Sequence, residues 1–289
     1  MNKYILLYFG LVICLLSVSV HKVSAQWLNT VSGNVHVEGR LDPNVPTPPP
    51  NRFFSSSDAV RGESGIITYT DNTTNESDFG ANGGSQTDSN WSVNLPDNSA
   101  INRIISRYNF GYYLNKYTGS FAADHPGHVN INVCNLIPLK PPTGPQRGDV
   151  IRVRGDFRIL GQACDIGIAE NESFILLVDG EVEIRSRTYG VSPNAYFIVI
   201  AQGNITFHRN TGSTGGSIQG TYVTDSIISL PATANIFRGD GVFIAHSAVD
   251  PNRTGPGPSE QFRYEPRFLI NANLGIKRRQ VSNWESLNP

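Results

Sequence analysis

A short pattern of alternating apolar and polar positions recurs along the chain, each time after a glycine and a polar residue. Alternation puts every second side chain on one face, as in a half-buried β-strand, and the glycine permits a turn before it. The pattern therefore predicts repeated short strands. Its copies are 33–37, 148–153, 180–184 and 203–207, with a looser copy at 239–244 and further predicted strands at 174–178, 196–200, 220–223 and 226–230.

The spacing of these strands favours a solenoid. The step from Gly180 to Gly203 is 23 residues, and coils of this size bury their apolar edges by stacking on one another. The nearly continuous apolar runs at 174–178 and 196–200 are typical of strands inside a parallel stack. An antiparallel sandwich or jelly roll gives similar hairpin spacing and stays open as the alternative.

Two regions interrupt the strand pattern. Prolines 43, 46 and 48–50 form a stiff passage after the first predicted strand, at 31–41, and residues 71–98 have the polar composition of long surface loops. One helix is expected next, capped by Asn98 or Ser99, because apolar residues follow at helical spacing. Those residues are Ile101, Ile104, Ile105 and Tyr108.

These features divide the chain into five parts. We predict a signal peptide at 1–25, a first β-helix strand and Pro-rich connection at 26–50, and a loop-rich insertion with one helix at 51–145. The main β-helix block is expected at 146–270, followed by a C-terminal capping segment at 271–289. We expect the first strand to stack on the main block.

The N-terminus has the pattern of a secretory signal. Lys3 precedes an almost wholly apolar stretch at 4–20, and residues 23–25 end in a small-residue cleavage site. A membrane anchor is the alternative, since such a stretch only just reaches spanning length. We expect an exported protein, extracellular or at the cell surface, with no membrane span after the signal is removed.

Two cysteines remain after signal removal, Cys134 and Cys164. In an exported chain they suggest one disulfide, which would constrain the unfolded chain by roughly 3–4 kcal/mol. Two buried thiols are the alternative.

The order of several motifs resembles a group of uncharacterised exported bacterial proteins, known mostly from uncultivated lineages. The motifs are Trp27 with the strand at 33–39, then 78–80, 90–91, the tyrosine-rich 108–113, 174–180, 217–223, 274–279 and 284–285. The resemblance implies a right-handed parallel β-helix and a cell-envelope or extracellular setting. Polymer-forming and pilus-associated β-helix proteins share this solenoid style. The predicted fold class is thus an all-β, right-handed parallel β-helix with one short α-helix and long loop insertions.

The sequence holds no recognisable catalytic or cofactor motif. Nucleophile-elbow, Walker and dinucleotide-binding signatures are absent, so no catalytic residue, cofactor or metal site is predicted. His125 and His128 lie three apart and are expected in a solvated turn. Asp179, Glu181 and Glu183 form the best acidic cluster, interpreted as a solvated strand face with a polysaccharide site as the alternative.

Arginines and one tryptophan are the remaining candidates for contacts. Arg185, Arg187 and Arg209 follow predicted strands and would line an anionic glycan groove. Trp284 is expected to cap the last coil or to anchor a partner. The tripeptide Arg-Gly-Asp occurs at 147–149, 154–156 and 238–240, which we interpret as three turns that each start a strand rather than as adhesion sites.

Composition and charge narrow the function classes. A charged content of 16% argues against a coiled coil, and a net charge of −1 gives no field that would gather nucleic acid. The leading hypothesis is a non-enzymatic structural or surface-assembly protein with envelope proteins as partners. The alternative is a protein that binds or cleaves extracellular polysaccharide.

Overall fold

The described part of the chain folds into a stack of short parallel strands with two short helices. The computed structural model describes residues 26–31, 35–37, 40–41, 66–69, 92–93, 109–132, 136–139, 144–160, 166–186, 190–208, 211, 217–233, 235–253, 258–265 and 267–270. The strands are β1 Gln26–Val31, β2 Val35–Val37, β3 Arg40–Leu41, β4 Ile66–Tyr69, β5 Ser92–Val93, β6 Ala123–His125, β7 Val129–Ile131, β8 Asp149–Val153, β9 Phe157–Ile159, β10 Phe174–Val178, β11 Val182–Ile184, β12 Phe197–Ala201, β13 Ile205–Phe207, β14 Ile218–Thr224, β15 Ile227–Thr233, β16 Phe237–Ala245, β17 Ala248–Arg253 and β18 Pro258–Tyr264. The helices are α1 Phe110–Tyr117 and α2 Arg267–Ile270, and two 3-10 turns lie at Ile137–Leu139 and Glu170–Glu172.

The strands form two long sheets and one short one. The first sheet has the order β1-β18-β16-β14-β12-β10-β8-β6, the second β3-β17-β15-β13-β11-β9-β7, and the third β2-β4-β5. From β6 to β17 the chain alternates between the first and second sheets, and all pairs of described strands are parallel. The predicted parallel solenoid is therefore confirmed over the sandwich, which needs antiparallel pairs. Its right-handed winding stays a prediction.

The inner faces of the two sheets enclose one apolar core. Ile151, Leu176 and Val199 lie opposite one another on successive strands and are fully buried. An aromatic ladder continues the core along the stack, with Phe174 against Phe197 at 5.2 Å and Tyr222 stacked on Phe243 at 5.3 Å between ring centroids. Such pairs stabilise beyond the area that they bury, so the aromatics help to hold neighbouring coils together.

The outer face of the first sheet is also apolar, because a helix covers it. Val150, Ile175 and Ile198 align on this face, and Phe110 and Tyr113 of α1 pack against them. The runs at β10 and β12 therefore carry apolar side chains on both faces. The strands predicted at 174–178, 196–200, 220–223 and 226–230 are confirmed as β10, β12, β14 and β15, with small shifts at their ends.

Helix α1 begins directly after the helix that the sequence predicts. Asn109 caps it, since its side chain accepts a hydrogen bond from the Tyr112 amide at 2.9 Å. The Phe110 amide donates to Asp225 Oδ1 at 2.8 Å, which ties the helix start to the bend after β14. The helix predicted at 101–108 lies outside the described residues.

Glycines line the bend where the chain passes from the first sheet to the second. Gly127, Gly155, Gly180 and Gly203 occupy this position in four successive coils. The Gly180 amide donates to the Gly155 carbonyl at 3.2 Å, and the Gly203 amide to the Gly180 carbonyl at 3.0 Å. A Cβ on Gly203 would lie 2.8 Å from the Gly180 carbonyl oxygen. Gly155, Gly180 and Gly203 are therefore needed for close backbone contact with the preceding coil, whereas a Cβ on Gly127 would meet no atom within 4 Å.

The residue after Gly127, after Gly155 and after Gly203 accepts a side-chain hydrogen bond from the next coil. Asp156 Oδ1 accepts a hydrogen bond from the Glu181 amide at 3.0 Å, and Asn204 Oδ1 accepts one from the Ile227 amide at 3.2 Å. In the repeated Gly-polar pair, the glycine thus allows the bends to lie close together and the polar residue bonds one bend to the next.

The repeat occupies more than one structural position. Copies 180–184 and 203–207 span this bend and a strand of the second sheet, copy 148–153 begins in the turn before β8, and copy 239–244 lies inside β16. The prediction that all three Arg-Gly-Asp tripeptides sit at turns is therefore wrong for 238–240, which is strand.

The N-terminal segment is not one strand at 31–41, as predicted, but the three strands β1, β2 and β3 in three different sheets. β1 pairs in parallel with β18 and β3 with β17, so this segment lies at the C-terminal end of the stack. At the other end, β6 and β7 already form a coil within the segment predicted as a loop-rich insertion.

The C-terminal segment begins as a helix. The apolar pattern of residues 268–276 favours a strand, but α2 occupies Arg267–Ile270, and the Arg267 guanidinium connects it to the loop before β12. It donates to the carbonyls of Val191 and Ser192, both at 3.3 Å. Residues 271–289, with Trp284 as the predicted cap or partner anchor, lie outside the described residues, and β1 pairs along the edge of β18.

The glycine column predicts a position-dependent effect of alanine. Gly203→Ala should lower stability by about 1–3 kcal/mol, because the new Cβ meets the backbone of the preceding bend. Gly127→Ala is the matched control, since nothing lies within 4 Å of a Cβ at that bend. Urea unfolding of both variants measures the difference, and equal stabilities would contradict the close-contact explanation.

Candidate functional surfaces

The outer face of the second sheet carries a column of polar side chains. Asn130, Arg158, Glu183, Thr206 and Ser229 lie opposite one another on successive strands. They face outward because the alternate residues of these strands fill the core. This face offers regularly spaced polar groups along the stack.

The charged side chains of this column form ion pairs with each other or with adjacent residues. Arg158 Nη2 lies 2.9 Å from Asp156 Oδ2, and Arg158 Nε lies 4.0 Å from Glu183 Oε2. Arg185 Nε lies 2.6 Å from Glu183 Oε1. The predicted glycan-contact residue Arg185 is thus engaged by the strand that precedes it. The other two, Arg187 and Arg209, lie outside the described residues.

A second set of ion pairs joins neighbouring coils along the first sheet. Arg152 binds Asp179 through two hydrogen bonds, Nε to Oδ1 at 3.1 Å and Nη2 to Oδ2 at 2.6 Å. Arg154 binds Asp124 in the same two-bond manner at 3.0 and 2.7 Å. Each pair connects a strand or bend to the adjacent coil, so these charges stabilise the stack.

A third ion pair between neighbouring coils lies at β16 and β18. Asp240 in β16 accepts hydrogen bonds from Arg263 Nη2, at 2.6 Å, and from the Ser217 hydroxyl. Arg263 lies directly opposite Asp240 on the neighbouring strand. Asp240 is only 9% exposed, and the two hydrogen bonds compensate its buried carboxylate for the loss of contact with water.

Because of these ion pairs, the acidic residues Asp179, Glu181 and Glu183, which lie close in sequence, point to different places. Asp179 turns to Arg152 on the first sheet, whereas Glu183 turns to Arg185 on the second. Glu181 is exposed at the bend between them. The three carboxylates do not converge on one groove, and a glycosidase needs two carboxyl groups that face one bond.

The two histidines of the predicted turn face different partners. His125 Nε2 contacts the Leu139 carbonyl, whereas His128 Nδ1 accepts a hydrogen bond from the Asp156 amide at 2.9 Å. Within the described ranges, no group of three or more His, Cys, Asp or Glu side chains is placed to hold a metal ion.

Two of the paired side chains have shifted pKa values. The hydrogen bond from Arg154 holds the pKa of Asp124 below its ordinary value, and the hydrogen bond to Asp179 raises the pKa of Arg152. Both shifts favour the charged forms. Asp124 and Arg152 therefore stay ionised at neutral pH.

A patch of tyrosines on α1, with the buried Tyr196 beside it, is a surface that the sequence patterns do not predict. We call Tyr112, Lys116, Tyr117 and Tyr196 the tyrosine patch. Tyr112 is 38% exposed, and Lys116 Nζ lies 5.2 Å from the centre of the Tyr117 ring. Spacing could have indicated it, since Tyr112, Lys116 and the neighbouring pair Tyr113 and Tyr117 lie four apart on the helix.

Burial shapes the chemistry of this patch. It raises the pKa of Tyr117 to about 12, with smaller contributions from the nearby Tyr196 and Tyr112 hydroxyls, and it lowers the pKa of Lys116. Tyr117 therefore keeps its proton at any physiological pH and remains a hydrogen-bond donor. An exposed ring beside a donor and a cation is suited to bind a polar ring-shaped ligand.

Comparisons with known proteins add no family to these observations. The chain matches no protein-family model, and no curated protein matches its sequence. In the part of the chain that the structure describes, no helix is long and apolar enough to cross a membrane.

Cys134 and Cys164 lie outside the described residues, so their disulfide stays a prediction.

The Asp124 pair predicts an acid-dependent loss of stability. Its lowered pKa means that the charged carboxylate stabilises the fold above about pH 4, and that this contribution disappears as the pH falls through the folded-state pKa. Asp124→Asn should therefore lower the Tm at neutral pH, with the gap closing in acid. Glu181→Gln, at an exposed bend, is the control for removing one negative charge. A gap that is independent of pH would contradict the prediction.

Proposed function

We propose that the protein is a non-enzymatic structural protein, exported to the cell surface or the extracellular space, where its solenoid is a stiff element of a surface assembly. One observation carries this proposal. The charged side chains that an enzyme would keep free are paired across neighbouring coils, as in Arg152 with Asp179, Arg154 with Asp124 and Arg263 with Asp240.

Stiffness follows from how the coils meet. Backbone hydrogen bonds connect each strand to the next in both long sheets, and the glycine bends bring backbone atoms of successive coils into contact. A stack that is bonded on two faces and at its bend resists bending more than a single sheet does. Export is supported by the apolar N-terminal stretch and small-residue cleavage site.

The structural proposal predicts inactivity toward polysaccharides. Purified protein incubated with pectin, alginate and host glycans should release neither reducing nor unsaturated ends, with a known lyase as the positive control. Immunogold labelling of the native cell should mark its surface or surrounding material. Released ends, or label confined to the cytoplasm, would overturn the proposal.

Polysaccharide binding is the second candidate function, and the tyrosine patch is the observation that favours it. The exposed Tyr112 ring offers a stacking surface, while Lys116 and the Tyr117 hydroxyl offer polar contacts beside it. Arg147 lies near Tyr196 but is paired with Glu170 at 3.3 Å, so Lys116 is the cation of the patch. Such a set suits an acidic sugar better than a neutral one.

The binding candidate predicts that Tyr112 carries affinity. Tyr112→Ala should weaken retardation in gels that contain an acidic polysaccharide by roughly fivefold, since an aromatic stacking contact contributes about 1 kcal/mol. Asn115→Ala changes an exposed residue of the same helix outside the patch and should leave retardation unchanged. Equal retardation of both variants, or no retardation of the wild type, would remove this candidate.

A further inference from the structure

The segment closest to the N-terminus supplies the last strands of the stack. We call β1 and β3 the closing rung. β1 pairs along β18 from Gln26 opposite Pro258 to Val31 opposite Arg263. β3 pairs with β17, Arg40 opposite Ala248 and Leu41 opposite Val249. The edge formed by β17 and β18, the last two strands that the structure describes, is thus covered by β3 and β1.

The closing rung is far from the place where the chain re-enters the stack. The eight-strand order puts β1 and β6 at opposite ends of the first sheet, about 34 Å apart at roughly 4.8 Å per strand. Between Leu41 and Asn109 lie 67 residues. β4 and β5 lie within this stretch and connect to β2, which leaves 15 residues between Val93 and Asn109. At up to about 3.5 Å per residue these span about 52 Å, which still exceeds the height of the sheet. The covalent connection therefore does not decide which copy's edge the closing rung joins.

The edge itself needs a strand. Phe237 and Glu260, on the two strands beneath β1, are fully buried and lie opposite each other, and Leu28 of β1 pairs with Glu260. Without a strand at the position of β1, a row of backbone amides and carbonyls along β18 would lose its partners. Any copy of the chain carries the strand that fits this edge in the same register.

We propose that the closing rung is exchanged between copies, so that β1 and β3 of one chain pair with β18 and β17 of the next. Each copy then donates one rung and accepts one, and this contact between unlike surfaces builds an open head-to-tail filament. The inference rests on the proposed surface-assembly function and names its partner as a second copy of this chain.

Paired cysteines distinguish exchange from closure within one chain. Asn29 lies opposite Gln261, and neighbouring strands place such residues within the range that a disulfide can bridge. Isotope-labelled Asn29→Cys protein is mixed with unlabelled Gln261→Cys protein in mild urea, returned to buffer over a series of concentrations and oxidised. Mass spectrometry of the linked peptides should find residue 29 of one copy joined to residue 261 of the other, in a fraction that rises with concentration.

The control pairs Asn29→Cys with Ser229→Cys, which lies in the other sheet on β15 and should give no link. The double variant Asn29→Cys/Gln261→Cys gives the decisive comparison. A link only within single chains at every concentration, with none in the mixture, would refute exchange but leave the structural function standing. A link in neither experiment would refute the pairing of β1 with β18 and with it the exchange.

Discussion

Backbone contact between successive bends sets the spacing on which the rest of the solenoid depends. At Gly155, Gly180 and Gly203 the preceding coil approaches so closely that a Cβ would meet main-chain atoms. Strands on both sides of the bend can then keep the spacing at which parallel hydrogen bonds form. The core aromatics and the cross-coil ion pairs also need this spacing, because their partners come from neighbouring coils. A larger residue at one bend would therefore disturb two sheets at once.

The two outer faces of the stack differ in what they present. On the first sheet, α1 covers apolar positions such as Ile175 and Ile198 and brings Tyr112 to the surface. On the second sheet, the outward column is polar, and its two charged residues, Arg158 and Glu183, are paired. The helix-covered face thus carries an exposed aromatic ring beside a lysine, whereas the outer face of the second sheet carries polar side chains whose charges are paired. The first face suits a ligand that stacks on an aromatic ring, and the second suits a partner with a complementary polar surface.

Local pattern predicted the strands well, and distant pairing could not be predicted from it. The run at 174–178 has the bounds of β10, because a strand that is buried on both faces leaves a continuous apolar signature. The Gly-polar repeat was recognised, yet its copies at 148–153 and 239–244 occupy other positions, since glycine also serves turns and strand interiors. Arg152 and Asp179 are 27 residues apart, and only the register of the coils brings them together. The interpretation of Arg185 as a glycan contact did not include its pairing with Glu183, although the two residues are only two positions apart. A charged residue after a strand looks the same in sequence whether it is paired or free.

The pairing of β1 with β18 has a consequence for the order in which the chain folds. Residue 26 leaves the ribosome long before residue 258, and contacts between such distant residues pay the largest loop-closure cost and form late. The intervening coils can assemble one on another as they are made, but β1 has no edge to join within its own chain until β18 exists. A chain that stops before β18 can still donate its β1 to a complete copy, but it offers no edge to the β1 of another. Such a truncated copy would therefore end a row of copies at the point where it joins.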